Sequence, residues 1–83
     1  MLQTFNIKRN DNNDIDKLKE YLEEQGSLKK VSYLCDDMVD SFVVRTVDGL
    51  MNIMLCYVDQ IRVEDKYLAI LYRDSKVLNV ELK

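Results

Sequence analysis

The side chains best able to do chemistry in this sequence are fifteen carboxylates and two thiols, since histidine is absent. Histidine is the commonest general base, so a Ser–His–Asp or Cys–His arrangement cannot be built within this chain. A zinc site would need four ligands, and Cys35 and Cys56 have no closely spaced ligand beside them. The only glycines, Gly26 and Gly49, form no phosphate-binding loop. We therefore predict a protein that is not an enzyme and holds no metal or cofactor.

Acidic residues are concentrated early in the chain, with six acids against two lysines over residues 11–24. Such a cluster could occupy a basic groove on a protein partner by imitating the charge spacing of a nucleic-acid backbone. An ordinary solvated helix face is the alternative, because the helix dipole favours acids near the N-terminus. The predicted partner-binding acids are Asp16, Glu20, Glu23 and Glu24.

Residues 50–58, LMNIMLCYV, are apolar on both faces of the strand that they predict. The helix can cover one face, and the other would be covered by residues 28–40 or by a second chain. Burial within the monomer is one reading, and a surface for a partner or a homo-oligomer is the other. The residues predicted for that surface are Met51, Ile53, Met54 and Tyr57.

Length and composition predict one small globular domain spanning residues 1–83, with 47% hydrophobic and 33% charged residues. No apolar run is longer than the six residues from Ile53 to Val58, which is too short to span a membrane, and the N-terminus does not read as a signal peptide. These features predict a cytoplasmic protein without a membrane partner. In that compartment both cysteines are expected to be reduced, and we expect them to be buried.

One amphipathic helix is predicted over about residues 14–25, because Ile15, Leu18 and Leu22 recur at helical spacing and Gly26 follows as a C-terminal cap. From Ser41 onwards, short apolar runs separated by turn residues such as Asp48–Gly49 predict antiparallel hairpins. Residues 28–40 fit either a strand or a helix. The predicted fold is α+β: a single small domain with an antiparallel β-meander of four to six strands and the helix packed on one face.

Two known families resemble the second half of the chain. The likeness to phage uracil-DNA glycosylase inhibitors, small acidic proteins that mimic DNA, is carried by Asn52, Ile53, Met54, Leu55, Glu64, Lys66, Ala69, Asp74 and Ser75. The likeness to the opening strands of LytTR DNA-binding domains is carried by Asp59, Ile61, Val63, Glu64, Tyr67, Ile70 and Asp74. Because one stretch resembles two unrelated families, it indicates a strand meander, and we assign neither family.

Small size, acidity and the missing catalytic residue types predict a protein that acts by binding another protein. Alanine, glycine and proline total three residues, which is typical of AT-rich genomes such as those of low-GC bacteria and their phages. The leading hypothesis is a phage or mobile-element inhibitor of a host or defence protein that acts on DNA. The alternative is a structural or regulatory homo-oligomeric accessory protein of a low-GC bacterium. A nucleic-acid-binding regulator is the weakest hypothesis, because no cluster of basic residues is visible in the sequence.

Overall fold

A computed structural model describes residues 2–8 and 12–83 of the chain. The described residues contain one α-helix, seven strands and a 3₁₀ turn. In chain order the elements are β1 (Gln3–Asn6), α1 (Asn12–Glu24), β2 (Leu28–Cys35), β3 (Met38–Thr46), β4 (Gly49–Met54), the 3₁₀ turn (Leu55–Tyr57), β5 (Val58–Glu64), β6 (Tyr67–Tyr72) and β7 (Val77–Glu81). The α+β class predicted from the sequence is confirmed.

The strands form two antiparallel sheets. The four-stranded sheet has the order β1-β5-β6-β7, and the three-stranded sheet has the order β2-β3-β4. The two sheets meet at one corner, where Thr46 at the end of β3 pairs with Leu82 just beyond β7. The helix contacts β1 of the first sheet and both β2 and β3 of the second. It therefore covers the junction between the sheets.

The predicted range of four to six strands was too low, because the described residues form seven. Residues 28–40 contribute to two strands: β2 ends at Cys35, and β3 begins at Met38 after a tight turn. Asp36 in that turn has a φ of 43°, a left-handed conformation that aspartate tolerates better than most residues. The ambiguity of this segment is thus resolved in favour of strand.

The apolar run at 50–58 does not form one strand. It is divided by the 3₁₀ turn Leu55–Tyr57, so that β4 ends in one sheet and β5 begins in the other. Leu55 is 5% exposed and anchors the turn in the core. This crossover splits the predicted single meander into two sheets.

The core lies between the two sheets and the helix. Phe42 from β3, Ile53 from β4 and Ile61 from β5 are fully buried. Ile15, Leu18 and Leu22 of the helix complete it, as their spacing predicted. Val, Ile and Phe suit the pleated inner faces of these strands because their branched or aromatic side chains pack against cross-strand neighbours.

The C-terminus of α1 is closed by a Schellman motif. Gly26 has a φ of 71°, its N–H donates to the Glu23 carbonyl at 3.0 Å, and the N–H of Ser27 donates to the Leu22 carbonyl at 3.0 Å. We expect Gly26→Ala to lower the free energy of unfolding by about 1 kcal/mol, because an L-residue is strained in this conformation. Urea denaturation followed by circular dichroism measures the change. Gln25→Ala, one residue earlier, is the control, and equal midpoints for the two variants would contradict the prediction.

Candidate functional site

The four acids predicted to bind a partner all lie on the exposed side of α1. Asp16, Glu20, Glu23 and Glu24 are exposed, while the apolar residues of the same helix are buried. Glu20, Glu23 and Glu24 follow Asp16 by four, seven and eight residues. This spacing places all four acids along one stripe of the helix surface. We call these four residues the acidic face.

The acidic face is weakly neutralised by its surroundings. Glu23 is paired with Lys19, whose Nζ lies 4.0 Å from Glu23 Oε1. A side-chain hydrogen bond with Tyr33 raises the pKa of Lys19, and the charges of Glu23 and Asp16 add to the rise. Among the residues that the structure describes, none places a cation within 4.0 Å of the carboxylates of Asp16, Glu20 or Glu24. Most of the negative charge on this face is therefore free to act on a partner.

The helix that carries the acidic face is anchored at both ends. Near its start, Asp14 Oδ2 accepts the N–H of Asn6 in β1 at 2.8 Å, so this carboxylate is directed to the sheet. Towards its end, the Tyr21 hydroxyl donates to the backbone carbonyl of Asp65 in the β5–β6 turn. Lys66 Nζ donates to the Gln25 carbonyl at 3.1 Å. These bonds fix the orientation of the stripe relative to the four-stranded sheet.

The Tyr21 anchor predicts a dependence of stability on pH. Burial and then the charge of Asp65 raise the pKa of the Tyr21 phenol, so folding favours the neutral form. The neutral Tyr21 phenol contributes fully to the stability of the fold below its unfolded pKa of about 10. This stabilisation is lost as the pH rises through the higher pKa of the folded state. We expect Tyr21→Phe to cost about 1 kcal/mol of unfolding free energy at neutral pH, and the difference from the wild type to shrink above about pH 10.

Urea denaturation at neutral and alkaline pH measures both effects of the Tyr21 replacement. Tyr57→Phe serves as the control, because Tyr57 is 63% exposed. A cost that stays constant across the alkaline range would contradict the predicted role of the phenol proton.

The structure does not bring the four predicted apolar residues together on one surface. Ile53 is fully buried, and Met51, on the same face of β4, is half-buried against the core. Met54 is half-buried and alternates to the opposite face. Tyr57 lies in the 3₁₀ turn and is 63% exposed. Of these side chains, only Met51 borders the groove described next.

A groove lined by both apolar and polar side chains lies between β4 and β7, and sequence reasoning missed it. Thr46, Asp48, Asn79 and Glu81 supply the polar part of the lining. The groove has a volume of about 410 Å³, and Met51 and Val80 form part of its lining. Val47, Leu50 and Leu78, which also line it, are exposed by 54%, 62% and 42%. The Asp48–Gly49 hairpin signal placed Val47 and Leu50 near a turn, but no local pattern indicated that β7 approaches them.

Three cations from distant parts of the chain meet at a neighbouring groove of about 280 Å³. Lys29, Arg45 and Lys83 line it, and Arg45 Nη1 is held by the Leu28 carbonyl at 3.0 Å. Sequence reasoning missed this group because its members are far apart in the chain. Three cations provide few contacts compared with the six to ten phosphate contacts of a typical duplex-binding surface.

The expectation of buried cysteines was wrong. Cys35 and Cys56 are both free and exposed. Cys35 ends β2 at the tip of a hairpin, and Cys56 lies in the 3₁₀ turn that breaks the apolar run. Within the described part of the chain, no group of three or more His, Cys, Asp or Glu residues could hold a metal ion.

No helix of residues 2–8 and 12–83 is long and apolar enough to cross a membrane. A comparison of the chain with protein-family models, curated proteins and solved structures finds no match.

Proposed function

We propose that this chain is a non-enzymatic protein that acts by binding a basic surface on another protein through its acidic face. The observation that carries the proposal is the stripe of four exposed carboxylates on an anchored helix. Only one of these carboxylates, that of Glu23, has a described cation within 4.0 Å. Exposed charge of one sign speeds the encounter with an oppositely charged surface and selects its orientation. The absence of histidine from the sequence supports the non-enzymatic part of the proposal.

The position of the acids within α1 supports a binding role over an ordinary solvated face. Glu23 and Glu24 lie in the last turn of the helix, which contains no basic residue. The helix dipole favours cations at that end, so carboxylates there are electrostatically unfavourable for the helix itself. The dipole therefore accounts for acids at the start of α1 but not for this pair.

The charge density of the acidic face supports a partner that normally binds DNA. From Asp16 to Glu24 the helix rises about 12 Å, so four carboxylates are spread over this distance. One strand of duplex DNA carries a charge about every 3.4 Å along the axis, which is a similar density. We therefore favour a phage or mobile-element inhibitor of a host or defence protein that acts on DNA. Two unpaired thiols support action in the reducing cytoplasm.

A pull-down from the lysate of a low-GC bacterium tests the proposal. Tagged protein is incubated with lysate that has or has not been treated with nuclease, and retained proteins are identified by mass spectrometry. We expect one abundant partner that resists nuclease and is released by high salt, because screening weakens contacts between exposed charges. Loss of all partners after nuclease treatment would contradict protein binding and favour a nucleic-acid-binding regulator.

A homo-oligomeric accessory protein is the second candidate. The observation that favours it is the exposure of three apolar side chains, Val47, Leu50 and Leu78, at the groove between β4 and β7. Recovery of only untagged copies of the same chain, from cells that express both forms, would support this candidate.

A further inference from the structure

The free edge of β4 is a second surface, separate from the acidic face. β4 pairs with β3 on one side, and no described strand pairs with its other side. An open edge exposes unpaired backbone N–H and C=O groups that can join another strand, and proteins normally protect such edges. The presence or absence of such protection at an edge therefore indicates whether that strand is expected to pair with a strand of another chain.

The other described edge strands carry recognisable protection. β2 contains Lys29 and Lys30, and its pairing with β3 has several register shifts. β1 is only four residues long. β7 contains Glu81, and the chain just beyond it is held by the Thr46–Leu82 bridge. Lysines, bulges, short length and inserted charge are all devices that discourage further strand pairing.

β4 has none of these devices in the described structure. Its sequence, GLMNIM, contains no charge and no proline, and its pairing with β3 runs without a register shift. Apolar side chains lie on both faces of the edge, and the outer face also carries the polar Asn52. Leu50 on the outer face is 62% exposed, and Met51 on the inner face borders the groove where Leu78 is 42% exposed.

We infer that β4 pairs with β4 of a second copy of this chain, antiparallel about a two-fold axis at Asn52. Directly opposed residues in an antiparallel pair share one face of the sheet. With Asn52 opposite its own copy, Leu50 faces Met54 on the outer side and Met51 faces Ile53 on the inner side. Every opposed pair then matches in polarity. An axis at Met51 would instead place Leu50 against Asn52.

The charges near β4 are compatible with this pairing. No charged side chain lies within the strand, so none is opposed by its own copy. Asp48, which borders the groove, would lie about 27 Å from Asp48 of the second copy at 3.4 Å per residue. This separation is several times the Debye length of about 8 Å at physiological salt. Like-charge repulsion therefore does not oppose the dimer at these positions.

The dimer would contain a continuous six-stranded sheet in the order β2-β3-β4-β4-β3-β2. It would close the unprotected edge of both copies and cover apolar surface at the groove. The acidic face would stay accessible, because α1 packs against β1, β2 and β3. The inference does not rest on the proposed function, since it uses a different set of residues.

Sedimentation equilibrium from about 1 µM to about 1 mM tests the inference. We expect the wild type to approach twice the chain mass of 9.8 kDa. Asn52→Lys places like charges directly opposite each other at the axis and is expected to weaken the dimer at least about tenfold. Gln3→Lys is the matched control: it places a lysine at an exposed position of the β1 edge, outside the groove, and should leave the dimer intact.

A charge-complementation experiment separates lost pairing from misfolding. Asn52→Glu alone is expected to be monomeric, and mixing it with Asn52→Lys should restore a heterodimer. A wild type that remains monomeric throughout would overturn the inference, as would a dimer that is unaffected by Asn52→Lys. A monomeric wild type whose captured protein partner is lost only with Asn52→Lys would also overturn it, and would assign the edge to a strand of that partner.

Discussion

Replacing all four residues of the acidic face with lysine is expected to lower capture of the protein partner by more than about 100-fold. The variant carries Asp16→Lys, Glu20→Lys, Glu23→Lys and Glu24→Lys. Each replacement removes an attraction to the basic partner and adds a repulsion, and like charges placed together across an interface cost several kcal/mol. Quantitative mass spectrometry of the pull-down measures the loss, and circular dichroism checks that the helix persists.

The matched control replaces four exposed acids outside α1 with lysine. These residues are Asp37, Glu64, Asp74 and Glu81. Each reversal adds two charges, so both variants change the net charge from −3 to +5 and differ only in where the charge lies. Equal loss with both variants would show that net charge, and not the acidic face, determines binding. Unchanged capture with the helix variant would remove the acidic face from the proposed function.

Phe42→Ala is expected to give the largest loss of stability, about 3–5 kcal/mol. Phe42 is fully buried at the centre of β3, between Val31 of β2 and Ile53 of β4. Proteins are stabilised by about 0.05–0.15 kcal/mol per residue, so the loss would remove a large fraction of the stability of an 83-residue chain. Truncation leaves a cavity where the two sheets and the helix meet, and the surrounding backbone can close it only in part.

Urea denaturation followed by far-ultraviolet circular dichroism measures the effect of Phe42→Ala. Leu34→Ala is the control, because Leu34 is 69% exposed and its truncation should change the unfolding free energy by less than about 0.5 kcal/mol. Similar midpoints for the two variants would contradict the central position of Phe42 in the core.

Features that depend on neighbouring residues were determined by the sequence alone. The helix was predictable because the spacing of Ile15, Leu18 and Leu22 and the following Gly26 are local signals. The β3–β4 hairpin was predicted from Asp48–Gly49. Val47 and Asp48 form its turn, and Gly49, paired with Thr46, has the positive φ of 119° that glycine permits. The exposure of the acidic face followed from the same helical periodicity. In each case the determining interactions lie within a few positions along the chain.

Only the tertiary structure decided how these elements are arranged. The apolar run at 50–58 has no breaking residue, yet a 3₁₀ turn divides it because Leu55 is buried where the chain crosses between sheets. The exposed Cys56 and the unprotected edge of β4 are consequences of that crossover. The groove at Met51 and Leu78 joins residues distant in sequence, and no local pattern records their approach. Alternating polarity specifies which face of a strand is buried, whereas the choice of neighbouring strand depends on packing across the whole chain.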